Sequence, residues 1–243
     1  MKHRNIVFTT ILLTLAGLVL LRSAQAITPA PDGGYPGATT AEGDNALFSL
    51  TTGGGNTAIG FDALYSDTTG AFNTASGPLA LYSNTTGRNN TAMGPFALYS
   101  NSTANANTAT GFFALAANTT GSDNTANGVD ALDNNISGGY NTAIGAQALL
   151  SNTHGFDNTA GGAALQNNTT GTANTATDGQ ALVSNTTRNN NTATGEAALN
   201  VNTTGDYNTA NGYFALGFNT GEFNTAHRCF GARAQHNGQQ QHG

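Results

Sequence analysis

Charged residues are scarce in this chain. Asp, Glu, Lys and Arg make up only 8% of its 243 residues, whereas a soluble domain averages about a quarter. Disordered chains combine low hydrophobicity with high net charge, so the composition does not match them either. The chain has no Trp and a single cysteine, which excludes an intramolecular disulfide framework. Two interpretations of Cys229 stay open, a disulfide between two copies and a small buried residue.

A long apolar run occurs once, at the N-terminus. The basic start MKHRN is followed by IVFTTILLTLAGLVLL and by RSAQA, which ends in an A-x-A-like cleavage site. This pattern predicts a secretory signal peptide over residues 1–26, with an uncleaved membrane anchor as the alternative. Its removal leaves four Arg and no Lys against thirteen acids, a net charge of 4 − 13 = −9. So acidic a surface argues against nucleic acid or a membrane as a partner. We expect the mature protein to be secreted or held at the cell surface.

Asn, Thr, Ala and Gly take the place of charge, and they recur with a fixed period. The repeating unit reads N-T-A-x-G-x-x-A-L-x-x-N-T-T-G-x-x, and the steps between copies are 17 residues or, twice, 16. The units begin at Asn56, Asn73, Asn90, Asn107, Asn124, Asn141, Asn158, Asn174, Asn191, Asn208 and Asn224. A preceding unit begins at Thr39, so eleven units end at Phe223 and a degenerate twelfth follows. Only a repeat architecture produces such a series.

The unit favours strands over helices. Asn, Thr and Gly are poor helix formers, no segment has an apolar face at the helical period, and helical repeats need about 33 residues or more. We therefore predict an all-β fold, a single β-solenoid (a parallel β-roll or β-helix) of about eleven coils. Each coil would hold two or three short strands separated by Gly and Asn corners.

The predicted organisation has five parts. Residues 1–26 are the signal peptide, and the Pro- and Gly-rich residues 27–38 form a cap or an assembly arm. Residues 39–223 are the solenoid, residues 224–234 a degenerate terminal coil, and residues 235–243 a disordered polar tail. Open strand edges at the two ends of such a rod favour end-to-end association.

Comparison of the copies predicts which side chains face inward. The third position is always Ala, whereas the next position varies, as in Ile59 and Met93, so strand alternation places the Ala inside. The fixed Ala-Leu pair needs a bend, because both residues face inward; the Leu is predicted to fill the core and the Ala to lie at the corner. The aromatic side chains occupy variable positions and are predicted to lie outside; they are Phe61, Phe96, Phe112, Tyr65, Tyr82 and Tyr99. Stacked coils would align like residues in ladders, namely Asn56, Asn73, Asn90, Asn107, Asn124, Asn141 and Leu64, Leu81, Leu98, Leu115, Leu132, Leu149.

The unit N-T-A-I-G-x-x-A-L, present from Asn56 and again from Asn141, resembles a known motif. It is similar to N-S-x-A-I-G in the YadA-like heads of trimeric autotransporter adhesins, whose repeat is shorter. It looks closer still to the NTAIGYxAL repeats of tail-fibre-like and bacterial surface proteins. The resemblance covers Thr39 to Ala226. It implies a left-handed parallel β-roll, often trimeric, that serves as an adhesive or spacer element outside the cell.

Catalysis needs a cluster of unlike residues, and a repeat supplies rows of like ones. We therefore expect no catalytic, cofactor-binding or metal-binding residue, no cofactor, and no enzymatic activity. His236 and His242 are the best spaced pair for a metal, but a solvated tail is favoured. The acids within residues 122–135 are likewise read as a solvated face. N-x-T sequences at Asn84, Asn118, Asn185 and Asn202 follow from the repeat itself, so glycosylation stays open.

These observations favour a secreted structural or adhesive solenoid that assembles with itself into a fibre or surface filament. Its expected partner is a second copy, with a surface glycan or matrix protein as a further candidate. A monomeric or trimeric adhesin head is one alternative. An ice-binding solenoid is another, because Thr57, Thr74 and their counterparts should form a row. The adjacent Thr85 and Thr86 argue against that alternative, since they point to opposite sides.

Overall fold

The computed structural model describes residues 37–227, which form one β-solenoid. Twelve strands lie in a single parallel sheet, in chain order from the first to the last. They are β1 (Thr40–Glu42), β2 (Thr57–Ile59), β3 (Thr74–Ser76), β4 (Thr91–Met93), β5 (Thr108–Thr110), β6 (Thr125–Asn127), β7 (Thr142–Ile144), β8 (Thr159–Gly161), β9 (Thr175–Thr177), β10 (Thr192–Thr194), β11 (Thr209–Asn211) and β12 (Thr225–Ala226). The predicted all-β solenoid with a repeat of about 17 residues is confirmed. The signal peptide, the tail and Cys229 lie outside the described residues.

Like residues pair with like from coil to coil. Thr57 pairs with Thr74 and Ala58 with Ala75, and the same alignment recurs along the sheet. The two shortened units keep it, because Ala160 still pairs with Ala176 and Ala210 with Ala226. The strands therefore keep the register, and the shortening lies in the turns between them.

Each coil contains one strand, not the two or three that the sequence suggested. The rest of the coil is turn, yet it is bonded both within the coil and to its neighbours. The Leu64 N–H donates to the Ala80 carbonyl in the next coil at 3.0 Å, while the Asp67 N–H donates to the Leu64 carbonyl at 3.2 Å. Parallel stacking thus satisfies the backbone without an extended conformation.

The bend at the Ala-Leu pair is made by the leucine. All eleven leucines at this position have φ between 50° and 54°, a left-handed conformation that costs roughly 1–2 kcal/mol for a residue with a Cβ atom. The alanine was expected at this corner, with Gly and Asn at the others; the structure places the leucine there instead. The leucine can occupy this one because the bend turns Ala63 and Leu64 to the same side. Both are fully buried, and burial of one leucine contributes about 1.5–3 kcal/mol.

The core is a thin column of three residues per coil, two alanines and a leucine. In the central coils all of them have 0% exposure. Gly111 directly follows strand β5. Its φ is 133°, and an added Cβ atom would lie 2.5 Å from the Gly128 carbonyl oxygen. Only glycine fits there without a backbone shift. Within residues 37–227 there is no helix that could cross a bilayer.

Candidate interaction surfaces

The Asn that opens each unit lies inside the solenoid, not at its surface. Asn90 donates from its backbone N–H to Asn73 Oδ1 at 3.0 Å and from Nδ2 to the Ala104 carbonyl at 2.9 Å. A second Nδ2 contact reaches Asn73 Oδ1 at 3.2 Å. All six asparagines singled out in the sequence have 0% exposure, as do the six leucines. We name this row the opening ladder; it is structural and leaves no amide for a ligand.

A second ladder of asparagines runs parallel to the first. Each Nδ2 donates to Oδ1 of the rung before it and to the carbonyl three residues later, as Asn118 does to Asn101 at 3.0 Å and to Gly121 at 2.9 Å. We name this row the second ladder, and its rungs are Asp67, Asn84, Asn101, Asn118, Asn135, Asn152, Asn168 and Asn185. From the sequence this Asn was interpreted as part of a corner. Its near-constant occurrence in N-T-T was the signal that could have placed it inside.

Asp67 is the first rung of the second ladder. The equivalent residue one coil earlier is Leu50, which offers no acceptor, so the first rung needs only to accept. Asp67 does so from Asn84 Nδ2 at 2.9 Å, from the Gly70 N–H at 3.1 Å and from Asn56 Nδ2 at 3.3 Å. Burial raises the pKa of the Asp67 carboxyl to about 6, although the Asn84 and Gly70 donors oppose the rise. Asp67 therefore links the starts of both ladders.

The second ladder ends near Arg188. This Arg stands where most units have Gly, and Asn185 Oδ1 is buried without a hydrogen-bond donor among the described residues. Asn202, one coil further, bonds only within its own coil, to the Gly205 carbonyl at 2.7 Å and from the Gly205 N–H at 3.2 Å. The coils beyond Arg188 are thus joined by one asparagine ladder instead of two.

The outer face of the sheet carries a row of threonines in register. The strand threonine faces outward in every coil while the next residue is buried, as the burial of β5 and β6 shows. The row two residues further along each strand is uneven. It holds Thr110, Thr177 and Thr194, but also Ile59, Met93 and Ile144, which are about half exposed. The predicted threonine ladder is present, and its companion row is irregular.

One group of aromatic side chains lies on the first five coils, on the side formed by the turns after the strand, and further aromatic pairs lie in the last described coils. Phe48, Tyr65, Tyr82 and Tyr99 are stacked in parallel, with ring centroids 5.2, 5.2 and 5.3 Å apart. Phe96 contacts Tyr99 and stacks on Phe113 at 4.9 Å, and Phe112 stands edge-on to Phe113 at 4.4 Å. We call these seven residues the aromatic patch. It lies outside the core, as expected, and its rings cover much of one another.

The solenoid does not need aromatic residues at these positions. In later coils the positions equivalent to Tyr82 and Tyr99 hold Asp133, Gln166 and Asn200, and those equivalent to Phe96 and Phe113 hold Asp130 and Gln147. Those coils have the same strands and the same buried leucines. The aromatic patch is therefore an addition to the surface of the solenoid, not a condition of its fold.

Titratable side chains are dispersed along the described coils. Within residues 37–227 no three His, Cys, Asp or Glu side chains are grouped so as to hold a metal ion. Asp133, in the acidic segment noted above, has its carboxyl pKa raised by partial burial and by the neighbouring Asp130. His236 and His242 lie outside the described residues. The surface of the described coils therefore consists of rows of like residues.

No protein-family model matches the sequence, and no curated protein or solved structure shows a detectable match. Function must therefore be inferred from the surfaces that the solenoid presents.

Proposed function

We propose that this protein is a secreted extracellular rod with a structural or adhesive role, and that copies associate into fibres or surface filaments. The aromatic patch is the observation that carries this proposal. Phe48 and Phe112 are 66% and 44% exposed and the other five patch residues are half-buried. Soluble proteins rarely leave contiguous apolar surface in contact with water without using it, and aromatic residues are enriched at protein interfaces. The signal-like N-terminus and the resemblance to YadA-like and tail-fibre repeats support the extracellular setting.

Charge restricts where two copies can meet, and the aromatic patch is an uncharged place at which they can. Without the predicted signal peptide the chain has a formal net charge of 4 − 13 = −9, so two copies repel each other over most of their surface. None of the seven residues of the patch is charged. The stacked rings also present mainly their edges, because Tyr65 and Tyr99 cover the two faces of Tyr82. Edges pack well against another aromatic face, and they offer little flat surface to a sugar ring.

The test replaces two patch residues with a residue that the chain itself uses at the equivalent position. Tyr82→Asn with Tyr99→Asn copies Asn200, so the coil should fold as before. The matched control, Phe72→Asn with Tyr140→Asn, removes two exposed rings from another face, where Asn89 is the natural precedent. Electron microscopy and sedimentation should show fibres or oligomers for the wild type and the control. The patch variant should be mainly monomeric.

Two results would contradict the proposal. Wild-type protein that stays monomeric at high concentration would remove self-association altogether. Equal association of the patch variant and the control would place the interface elsewhere. Binding of the wild type to immobilised glycans or matrix proteins, lost in the patch variant, would favour the adhesin alternative over the fibre.

The threonine row supports ice binding as a second candidate function. A straight row of outward hydroxyls on a parallel sheet repeats at about 4.8 Å, and regular spacing of this kind can order water. The uneven companion row weighs against it. In a freezing assay, thermal hysteresis that is lost in Thr142→Tyr but kept in Thr120→Tyr, an exposed site off the sheet, would establish this candidate. Absence of hysteresis in the wild type would exclude it.

Enzymatic activity is not part of the proposal. The described coils repeat the same few side chains at fixed spacing, and this arrangement supplies no nucleophile, base and orienting group together.

A further inference from the structure

The second ladder coincides with the acceptor sequences for N-linked glycans. The chain contains ten N-x-[ST] sequences, and in seven of them the asparagine occupies the second-ladder position. These seven are Asn84, Asn101, Asn118, Asn135, Asn168, Asn185 and Asn202, and each has 0% exposure. Acceptor asparagines normally lie on the surface. Here most of them lie inside the solenoid.

The amide nitrogen that would carry the sugar is fully used by the fold. Asn135 Nδ2 donates to Asn118 Oδ1 and to the Gly138 carbonyl, both at 2.8 Å. Attachment of a glycan replaces one of the two hydrogens of this nitrogen, so one of the bonds is lost. A buried acceptor left without its donor costs about 1–3 kcal/mol. The sugar itself also has no space, since an added Cβ atom at Gly138 would already lie 2.5 Å from Asn135 Oδ1.

We propose that N-linked glycosylation and folding exclude each other in this chain, so that it is made where no N-glycan is attached during synthesis. A compartment that glycosylates the nascent chain would modify these asparagines before the coils form. Because each coil is held by its neighbours, one modified rung would separate the coils on either side of it. The mutual exclusion follows from the ladder alone. The place of synthesis also rests on the proposed export.

Three acceptor asparagines lie outside the ladder. Asn89, Asn167 and Asn190 are exposed, and each directly precedes a buried asparagine. They are the positions at which the folded protein could carry a glycan. The chain therefore contains both kinds of site, and occupancy can be compared within one molecule.

The chain also provides the model for a control variant. In one unit the sequence after Asn152 is Thr-His, so the acceptor sequence is absent, yet Asn152 Nδ2 bonds Asn135 Oδ1 at 2.8 Å like the other rungs. The residue two places after the rung is exposed in the seven units concerned. Its replacement by Ala removes the acceptor and leaves the asparagine. The changes are Thr86→Ala, Thr103→Ala, Thr120→Ala, Ser137→Ala, Thr170→Ala, Thr187→Ala and Thr204→Ala.

The experiment expresses the full chain and the control variant in two hosts, a secreting eukaryotic cell and a bacterium without N-glycosylation. Circular dichroism and protease resistance report folding, and mass spectrometry reports the occupancy of each asparagine. Both proteins should fold in the bacterium, which shows that the alanines are tolerated. Thr204 is the most sensitive site, since its hydroxyl donates to the Thr220 carbonyl at 2.7 Å.

In the eukaryotic cell the two proteins should differ. Wild-type chains should carry glycans on ladder asparagines and lose the β spectrum and protease resistance. The control variant should be secreted folded, with glycans confined to Asn89, Asn167 and Asn190. A folded wild type with a glycan on a ladder asparagine would overturn the proposal. A folded wild type with unoccupied ladder sites would overturn the inferred place of synthesis, because the chain would then fold before it is modified, while the exclusion itself would stand. Neither result bears on self-association, so this proposal and the proposed function can fail separately.

Discussion

Asp67 is the one carboxylate in the second ladder, whose other rungs are asparagines. Its carboxyl pKa is raised from 3.8 to about 6 because the side chain is buried. The folded state therefore holds the proton more tightly than the unfolded state does. The contribution of Asp67 to stability is then greatest below about pH 4, declines as the pH rises towards 6, and is level above that. The difference between the two pKa values corresponds to about 3 kcal/mol.

We predict that Asp67→Asn stabilises the protein at neutral pH. The new amide keeps the oxygen that accepts from Asn84, and its nitrogen can donate to the Gly70 carbonyl as Asn84 does to Gly87 at 3.2 Å. Urea unfolding at pH 7 should show a gain of about 1–3 kcal/mol, and the decline between pH 4 and 6 should largely disappear. Asp44→Asn, at the N-terminal coil, is the control and should retain the decline. If Asp67→Asn were less stable than the wild type at pH 4 and at pH 7, this account of the first rung would be contradicted.

The leucine corners show what sequence reasoning misses at this scale. The repeat predicted correctly that Ala63 and Leu64 both face inward and that a bend separates them. It placed the alanine at the corner, which is wrong, because Leu64 itself takes the left-handed conformation, with φ of 53°. Intrinsic preference points to Gly or Asn at such a place. Burial of the leucine and the bond from its N–H to the next coil override that preference, and neither is visible in one unit alone.

At the scale of the coil, the two ladders are polar rows with a direction. In the second ladder every interior rung both accepts and donates, whereas the side chain of the first rung, Asp67, only accepts. The sequence allowed the opening ladder to be anticipated, because the Asn that precedes Thr-Ala is constant. The second ladder was missed, because an Asn before Thr-Thr is equally typical of a turn that caps its own backbone. Only the stacking of coils distinguishes the two uses.

The direction of the second ladder leads to a prediction for Asn118→Asp. The carboxylate would keep the bond from Asn135 Nδ2, now 2.8 Å long, but it would face Asn101 Oδ1 and the Gly121 carbonyl with no proton to donate. We expect a loss of about 3–5 kcal/mol at pH 7, with part of it recovered at pH 4 as the new carboxyl takes up a proton. Urea unfolding monitored by circular dichroism measures both values. Thus Asn→Asp inside the row and Asp→Asn at its start should have opposite signs, and equal signs would contradict the polarity of the ladder.

For the whole molecule, stability is a sum over neighbouring coils, not the property of a central core. Each coil buries one leucine and two alanines, too little to order its residues by itself. Such a chain should tolerate the removal of a complete coil far better than the removal of part of one. Whether the 17-residue repeat is the unit of stability can therefore be tested by deletion.

We predict that deletion of residues 141–157 leaves a folded, shorter solenoid. The cut joins Tyr140 to Asn158, so β6 would pair with β8 and Asn135 would receive the amide of Asn168 in place of that of Asn152. The rod should shorten by about 4.8 Å, measurable by small-angle scattering, and the unfolding midpoint should fall only slightly. Deletion of residues 141–149 removes fewer residues but breaks the alignment, because a leucine would no longer lie over a leucine. That variant should unfold at a much lower midpoint than the complete-coil deletion, since the misaligned coil cannot bond to either neighbour and the two parts of the rod lose their contact. If both deletions were tolerated equally, the stacking of like residues would not be what holds the molecule together.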